Sequence, residues 1–551
     1  MIASQDELVF VPLGGTGEIG MNLNLYGCRG KWLIVDCGVT FGDDSTPGVE
    51  VMMPDPSFIA DRRKDLLGIV LTHGHEDHLG AVHHLWPRLR CPVYATPFTA
   101  SLLRTKLHEA GLQSQVDVHE IPLGGKVKLG PFEVEMVTLT HSIPEPNSLA
   151  IHTPHGTILH TGDWKFDPQP MVGATADFAK LERLGDQGVL AMVGDSTNVF
   201  TKGAAGSEAS VRQSMTELLG RYNRKIAVAC FATNLARVES IAVAAAAHDR
   251  HVALVGRSLW RIDQAARQNG YLKGLPPFLN EHDAGFLPED KVLYICTGSQ
   301  GEPRAALARI ASDSHPHVTL GKGDVVIFSS RIIPGNEKAI FRLQNRLAGQ
   351  GTEVVTEKDH FVHVSGHPGR DEMTRMYQLV RPKIAVPVHG ETRHLLEHAK
   401  LAEECGVEQA MVICDGEMLK LAPGPVEVVD HVTIGRLAVD GSRVVPMDSE
   451  IMRSRHRMVH NGSAVVTVVL DRQGKLQGQP QVTALGLLDA QHEAEEHDAV
   501  VEAVREAVLE LGHLARANDD VVKEAARLAV RRHLKANHGK KPLTDVHLVR
   551  L

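Results

Sequence analysis

The apolar and polar positions of this 551-residue chain fall into three textures. Over residues 1–205 short apolar runs alternate with Gly- and Pro-rich breaks, and few stretches keep a helical period. Runs at 33–35, 68–71, 134–140, 157–162 and, later, 384–388 predict strands, since apolar or alternating runs of this length suit a covered sheet. From residue 206 the pattern becomes a strict alternation. Residues 207–219 and 235–247 predict helices, and 226–230, 252–255, 292–295 and 325–328 predict strands. Helix and strand in turn argue for a parallel sheet covered on both faces, so 206–356 reads as a separate α/β domain inserted into the first. After Gly424 a linker over 426–445 leads to the third texture. Strands are predicted at 465–470, 482–487 and 546–549, with two helices between. Val501, Val504, Val508 and Leu511 mark one apolar stripe; Val521, Ala525 and Leu528 mark the other, behind an N-cap at Asn518 or Asp519.

Composition narrows the class. The 43% hydrophobic and 23% charged content is that of an ordinary soluble protein with room for more than one domain. No basic start precedes an apolar run, and no apolar stretch approaches the roughly 18 residues of a membrane span, so neither a signal peptide nor a membrane association is expected. Seven cysteines (28, 37, 91, 230, 296, 405 and 414) contain no CxxC and leave an odd count, which reads as reduced thiols in a cytoplasmic protein. A net charge of −9 does not advertise a nucleic-acid binder, but phosphate binding requires only local positive charge. Candidate patches are Arg221 with Arg224 and Lys225, Arg257 with Arg261 and Arg267, the Arg453 to Arg457 run, and residues 527–541.

The strand ends carry the chemistry. Thr72-His73-Gly74-His75-Glu76-Asp77-His78 packs three imidazoles and a carboxylate into six positions after the strand at 68–71. His73 and His75 are two apart and point the same way in an extended segment; Asp77 and His78 reach a second point. That is the layout of a dinuclear zinc site, whose ions stand about 3.5–4 Å apart. Later strand ends add Asp36, His141, Asp163 (a carboxylate able to bridge) and His389. Two further segments invite a phosphate or a base. His363-Val364-Ser365-Gly366-His367 offers imidazoles, a hydroxyl and a bare backbone. Phe231-Ala232-Thr233-Asn234, between a strand and a helix, offers a ring face and helix N-terminal amides.

Asp36, the His73-to-His78 series, His141 and Asp163 together resemble the metallo-β-lactamase superfamily. Gly194-Asp195-Ser196-Thr197-Asn198, the 363–367 segment and Pro387-Val388-His389-Gly390-Glu391 resemble its β-CASP nuclease branch. Leu13-Gly14-Gly15-Thr16-Gly17-Glu18-Ile19-Gly20-Met21-Asn22 and the C-terminal extension narrow the resemblance to the bacterial ribonuclease J family. It implies an αββα sandwich in two parts, 1–205 and 357–425, interrupted by a β-CASP domain at 206–356, with a small α/β domain at 446–551. It also implies a zinc-dependent ribonuclease with 5′-to-3′ exonuclease and endonuclease activity on single-stranded RNA, serving rRNA maturation and mRNA decay.

Two Zn2+ are expected per chain. His73, His75 and His141 would hold one; Asp77, His78 and His389 the other; Asp163 would bridge, and Asp36 would orient a ligand imidazole. The resemblance makes Asp195 the proton donor and His367 the acceptor, or the reverse. It places the 5′-monophosphate of the RNA in a nucleotide pocket of His363, Val364, Ser365, Gly366 and His367, near Phe231, Ala232 and Thr233. Gly48 and Glu50 stand where some members bind Ca2+, with Glu in place of the family's frequent Asp. A homodimer or homotetramer, partnered by other RNA-decay proteins, is implied as well. The competing classes are a DNA nuclease of the same branch, whose motif usually has Val at the position of His389, a small-ester hydrolase, which lacks the insert, and a non-catalytic scaffold, which loses ligands.

Overall fold

The computed structural model describes residues 6–43, 45–489 and 493–551. Its chain divides into two units, Met1–Thr40 with Met53–Ile434, and Phe41–Met52 with Gly435–Leu551. Residues Phe41–Met52, which nothing in the sequence pattern separates from the first domain, thus cluster with the C-terminal part of the chain.

In the first unit the predicted strands assemble into two facing sheets. One runs in the order Glu427–His431, Glu417–Ala422, Leu8–Gly14, Leu23–Cys28, Lys31–Val35, Leu66–Val70, Val93–Ala95, Val118–Glu120. The other runs Lys126–Leu129, Phe132–Thr138, Asn147–Thr153, Gly156–His160, Ala191–Asp195, Ile384–Val388, Gln409–Ala410. Side chains from both sheets share one core, with Leu8, Phe10, Leu33 and Val70 from the first and Val134, Leu149, Ile158, Val193 and Val386 from the second. The opposite face of the second sheet (Val137, Ala150, Leu159, Met192, Ala385) is covered by the helices Phe178–Gln187, Arg370–Val380 and Thr392–Glu404. Pro97–Glu109 packs on the strands Val93–Ala95 and Val118–Glu120 of the first sheet. This is the expected αββα sandwich.

The expected insert is present too. Its six strands are all parallel, in the order Leu279–Asn280, His251–Val255, Val292–Cys296, Ile226–Ala229, Val325–Phe328, Glu353–Val355. The strands at 279–280 and 353–355 have no long apolar run and escape a periodicity reading. The chain leaves the sandwich after Ala191–Asp195 and re-enters at Ile384–Val388, and these two strands are parallel neighbours. The crossover that contains the insert therefore begins and ends on neighbouring strands of one sheet.

A four-stranded sheet runs in the order Arg443–Pro446, Arg436–Asp440, Val51–Pro54, Thr40–Phe41, with Phe41, Val51 and Met52 counted in the second unit. A three-stranded sheet follows, with Ser463–Leu470 central, antiparallel to Gln481–Thr483 and parallel to Leu543–Arg550. The helices Ala494–Leu509 and Asp519–His538 bury one face of it. Two expectations need correction. The strand expected over 482–487 stops at Thr483, because Leu485 is exposed and the chain turns there. The stripe of the last helix is Val522, Ala526, Val530 and Leu534, one position on from Val521 and Ala525: over 20 residues this row of i+4 neighbours stays on one face, whereas Val521 points to solvent. Asn518 caps that helix as expected, accepting from the amides of Asp520 and Val521. Among the described residues no helix is long and apolar enough to cross a membrane.

Candidate metal centre

Strand ends leave backbone and side chains free of the ladder, and five of them converge here. Asp36 follows Lys31–Val35, His73 follows Leu66–Val70, Asp163 follows Gly156–His160, and His389 follows Ile384–Val388. The short helix Glu76–Leu79 adds Asp77 and His78, and His141 follows Phe132–Thr138. All but His75 and Asp77 are buried.

The first donor set is three nitrogens. His75 Nδ1 lies 3.0 Å from both His73 Nε2 and His141 Nε2. The far sides of two rings are already committed. His141 Nδ1 donates to the Gly366 carbonyl at 2.6 Å. His73 Nδ1 donates to Thr72 Oγ1 at 3.0 Å, because that hydroxyl gives its own proton to Asp36 Oδ2 at 2.8 Å. Both Nε2 atoms therefore present lone pairs to His75 Nδ1, and one ring proton cannot satisfy the two. A cation can. Burial is the largest cause that pushes all three imidazoles down, His75 to about 4, so the neutral ligating form prevails near pH 7. Gly366 must lack a side chain: a Cβ there would stand 2.8 Å from the His141 ring.

The second set centres on Asp163, whose Oδ2 lies 3.1 Å from His78 Nε2 and 3.5 Å from His389 Nε2. Asp77 Oδ2 is 3.5 and 3.7 Å from the same two nitrogens. His78 Nδ1 donates to Asp36 Oδ2 at 2.7 Å, so Asp36 orients His78 directly and His73 through Thr72. Burial would lower His78, but Asp163, Asp77 and Asp36 outweigh it and hold the imidazole well above its ordinary value. Asp163 Oδ2 also lies 3.8 Å from His73 Nε2 and 3.7 Å from His141 Nε2, which places this carboxylate between the two sets. Its Oδ1 and His389 Nε2 are buried with no hydrogen-bond partner. Buried polar atoms without partners are costly, and metal coordination would supply what both sets lack.

Asp195 and His367 border this centre. Asp195 Oδ1 accepts from the amide of Thr197 at 2.9 Å, and its Oδ2 takes His367 Nδ1 at 2.8 Å. The carboxylate thus caps its turn and holds an imidazole at once. His367 Nδ1 is 4.0 Å from Asp163 Oδ2; burial is outweighed by Asp195 and then Asp163, which raise the ring to about 9. Ser365 Oγ accepts from Asn198 Nδ2 at 2.7 Å and from the His367 amide at 3.1 Å. His363 Nδ1 faces Arg237 at 3.3 Å; burial, then Arg237, holds it well below its ordinary value. Val364 is buried, its side chain against Gly206, and Phe231, Ala232 and Thr233 are half-buried at the turn before Leu235–Ala246.

Gly48 and Glu50 lie in the second unit, where no group of three His, Cys or acidic residues gathers among the described residues. The Arg455 guanidinium stands 3.7 Å from where a Cβ on Gly48 would be.

Family models match four stretches of the chain: a beta-lactamase superfamily domain over 31–182, the ribonuclease J beta-CASP domain over 223–347, a Zn-dependent metallo-hydrolase RNA specificity domain over 351–412, and the ribonuclease J C-terminal domain over 450–551. A ribonuclease J from Sinorhizobium meliloti is 43% identical, spanning 100% of this chain and 98% of its own. The chain belongs to the ribonuclease J family. Another member, from Thermus thermophilus, is 34% identical over 98% of this chain and 94% of its own. A solved protein of unknown function from Enterococcus faecalis covers 75% of this chain and all of its own with a TM-score of 0.51; at 16% identity it shares the fold alone. Membership in ribonuclease J makes this chain a metal-dependent hydrolytic nuclease that binds RNA.

Sequence reasoning missed three residues of this ribonuclease J site. Thr72 precedes the first ligand imidazole without a role of its own in the pattern, Asn22 closes a Gly-rich opening of unassigned purpose, and Arg237 falls inside a predicted helix. For Thr72 the signal was available: a hydroxyl that ends an apolar strand one residue before a ligand imidazole.

Proposed function

We propose that the chain is a zinc ribonuclease that degrades single-stranded RNA from a 5′-monophosphate end and also cuts internally. The observation that carries this is the sharing of Asp163 between two donor sets, with the Asp195–His367 pair alongside. His73, His75 and His141 would hold one Zn2+, and Asp77, His78 and His389 the other. Bound there, zinc supplies Lewis acidity toward a phosphodiester and an activated water near neutral pH. Asp36 holds the Nδ1–H of His78 directly and that of His73 through Thr72, so that the Nε2 of each ring faces the donor sets. Asp195 and His367 share a proton between Oδ2 and Nδ1, and this pair hands the leaving ribose oxygen its proton.

The segment from His363 to His367 is proposed to take the terminal phosphate. His363 is kept neutral by burial and Arg237, so recognition there rests on hydroxyl, amide and imidazole donors and suits one phosphate better than three. Phe231 offers a base its ring. His389, in place of the Val usual in the DNA branch, favours RNA. A homodimer or homotetramer and a cytoplasmic setting are part of the same reading.

The test is a product ladder from 5′-labelled single-stranded RNA bearing one or three 5′-phosphates. Monophosphate RNA should release mononucleotides from the 5′ end, triphosphate RNA should react more slowly, and Ser365→Ala should weaken the end preference more than internal cutting. Indistinguishable ladders, or mononucleotides appearing first from the 3′ end, would overturn the pocket assignment.

A further inference from the structure

Asn22 carries no atom that commonly ligates zinc, yet its amide is wedged among the residues of one donor set. The side chain is buried, 3% exposed. Its Oδ1 meets His389 Nδ1 at 3.1 Å, and its Nδ2 donates to the Asp77 carbonyl at 3.0 Å and stands 3.3 Å from His78 Nε2. The Asn22 backbone N–H reaches the same Asp77 carbonyl at 3.0 Å. Its seat exists because position 15 is glycine. Gly15 has φ +91°, a Cβ there would lie 2.4 Å from Asn22 Oδ1, and the Gly15 carbonyl accepts from the His389 amide at 2.7 Å. None of these contacts involves His73, His75 or His141.

We propose that Asn22 is a positioning residue for one metal position only, fixing His389 and the Asp77–His78 turn in ligating geometry while leaving the three-histidine position untouched. An amide oxygen can only accept, so His389 must carry its ring proton on Nδ1 and keep the Nε2 lone pair for the metal. Nε2 is the atom that is buried without a partner. The amide nitrogen can only donate, so the same side chain holds the Asp77 backbone in place. Because the two contacts come from one rigid group, they set the spacing between ligands more than three hundred positions apart in sequence. This inference rests on the proposed two-zinc reading.

The experiment measures zinc per full-length chain by mass spectrometry, then competes the zinc away with a chelator. Wild type should hold two. Asn22→Ala should hold one tightly, with the second released at 10–100-fold lower chelator concentration, the range seen when a partner of a ligand histidine is removed. Asn22→Asp, whose carboxylate still accepts from Nδ1–H, should recover much of the second zinc. His75→Ala is the counterpart that should lose the other one. Where circular dichroism shows Asn22→Ala to be misfolded, Asn22→Ser gives the same comparison, its hydroxyl being too short to reach Nδ1. Two zincs with a wild-type competition curve in the folded variant overturn the role of Asn22. A wild type that never holds two overturns the underlying reading, and this inference with it.

Discussion

At the scale of single residues, a buried imidazole outside the donor sets puts an acid limit on the fold. His398 is 2% exposed, with Nδ1 against Ser196 Oγ at 2.9 Å and Nε2 against Tyr377 Oη at 2.8 Å. Burial pushes it down to about 4. Its folded value lies below the unfolded one near 6.5, so its contribution is whole above pH 6.5 and is lost as pH falls toward 4. The gap amounts to about 3 kcal/mol at full protonation. We expect unfolding midpoints in denaturant to drop between pH 7 and pH 4.5, and to drop less in His398→Gln; parallel curves for the two proteins would refute this. The same residue shows the limits of sequence: His398 lies in a helical stretch like any other, whereas His73 and His389 stand at strand ends and announce themselves. Asn22 closes a recognisable Gly-rich motif, but its partner His389 is 367 positions away, and no local pattern connects them.

At the scale of elements, the insert is fastened to the returning chain by Arg237. This guanidinium is fully buried on Leu235–Ala246 and pairs with Glu208 at 3.0 Å. It also donates to the carbonyl of Ser329 at 2.9 Å and to that of Val362 at 3.0 Å, which fixes the start of the segment from His363 to His367. Removing one member of such a pair leaves an uncompensated buried charge and costs about 3–5 kcal/mol. Arg237→Met should therefore destabilise the protein strongly, and adding Glu208→Leu should restore part of the loss; equal midpoints for the single and double variants would contradict this account. Hydrophobic periodicity located the helices and the long strands because each buries a face of known period. It misplaced the stripe of Asp519–His538 by one position, since Val521 and Val522 are alike in polarity and only the packed helix decides between them. Strands of two or three residues, at 279–280 and 353–355, are too short to carry a period.

At the scale of the molecule, donors from both sheets of the sandwich converge on one centre, so metal bound there should hold the unit together. A ligand bound only by the folded state stabilises it by about 4 kcal/mol when present at a thousand times its dissociation constant. Chelator should therefore lower the melting temperature of wild type measured by calorimetry, and should have little effect on Asp163→Ala. That variant should also be inactive while keeping its secondary structure, since Asp163 lies past the end of its strand and adds nothing to the ladder. An equal chelator effect on both proteins would refute the bridging role.

The return of the chain beside its point of departure has a consequence for biosynthesis. His73, His75, His141 and Asp163 are all made before the insert, whereas His367 and His389 come after it. At the usual pace of about 5–20 residues per second, roughly 15–60 s of translation separate His78 from His389. While the insert is being made, a nascent chain holds every proposed metal donor but His389, and Asp195 without its partner His367. A nascent chain should therefore be unable to cut RNA until His389 has been made, at about seven tenths of its length.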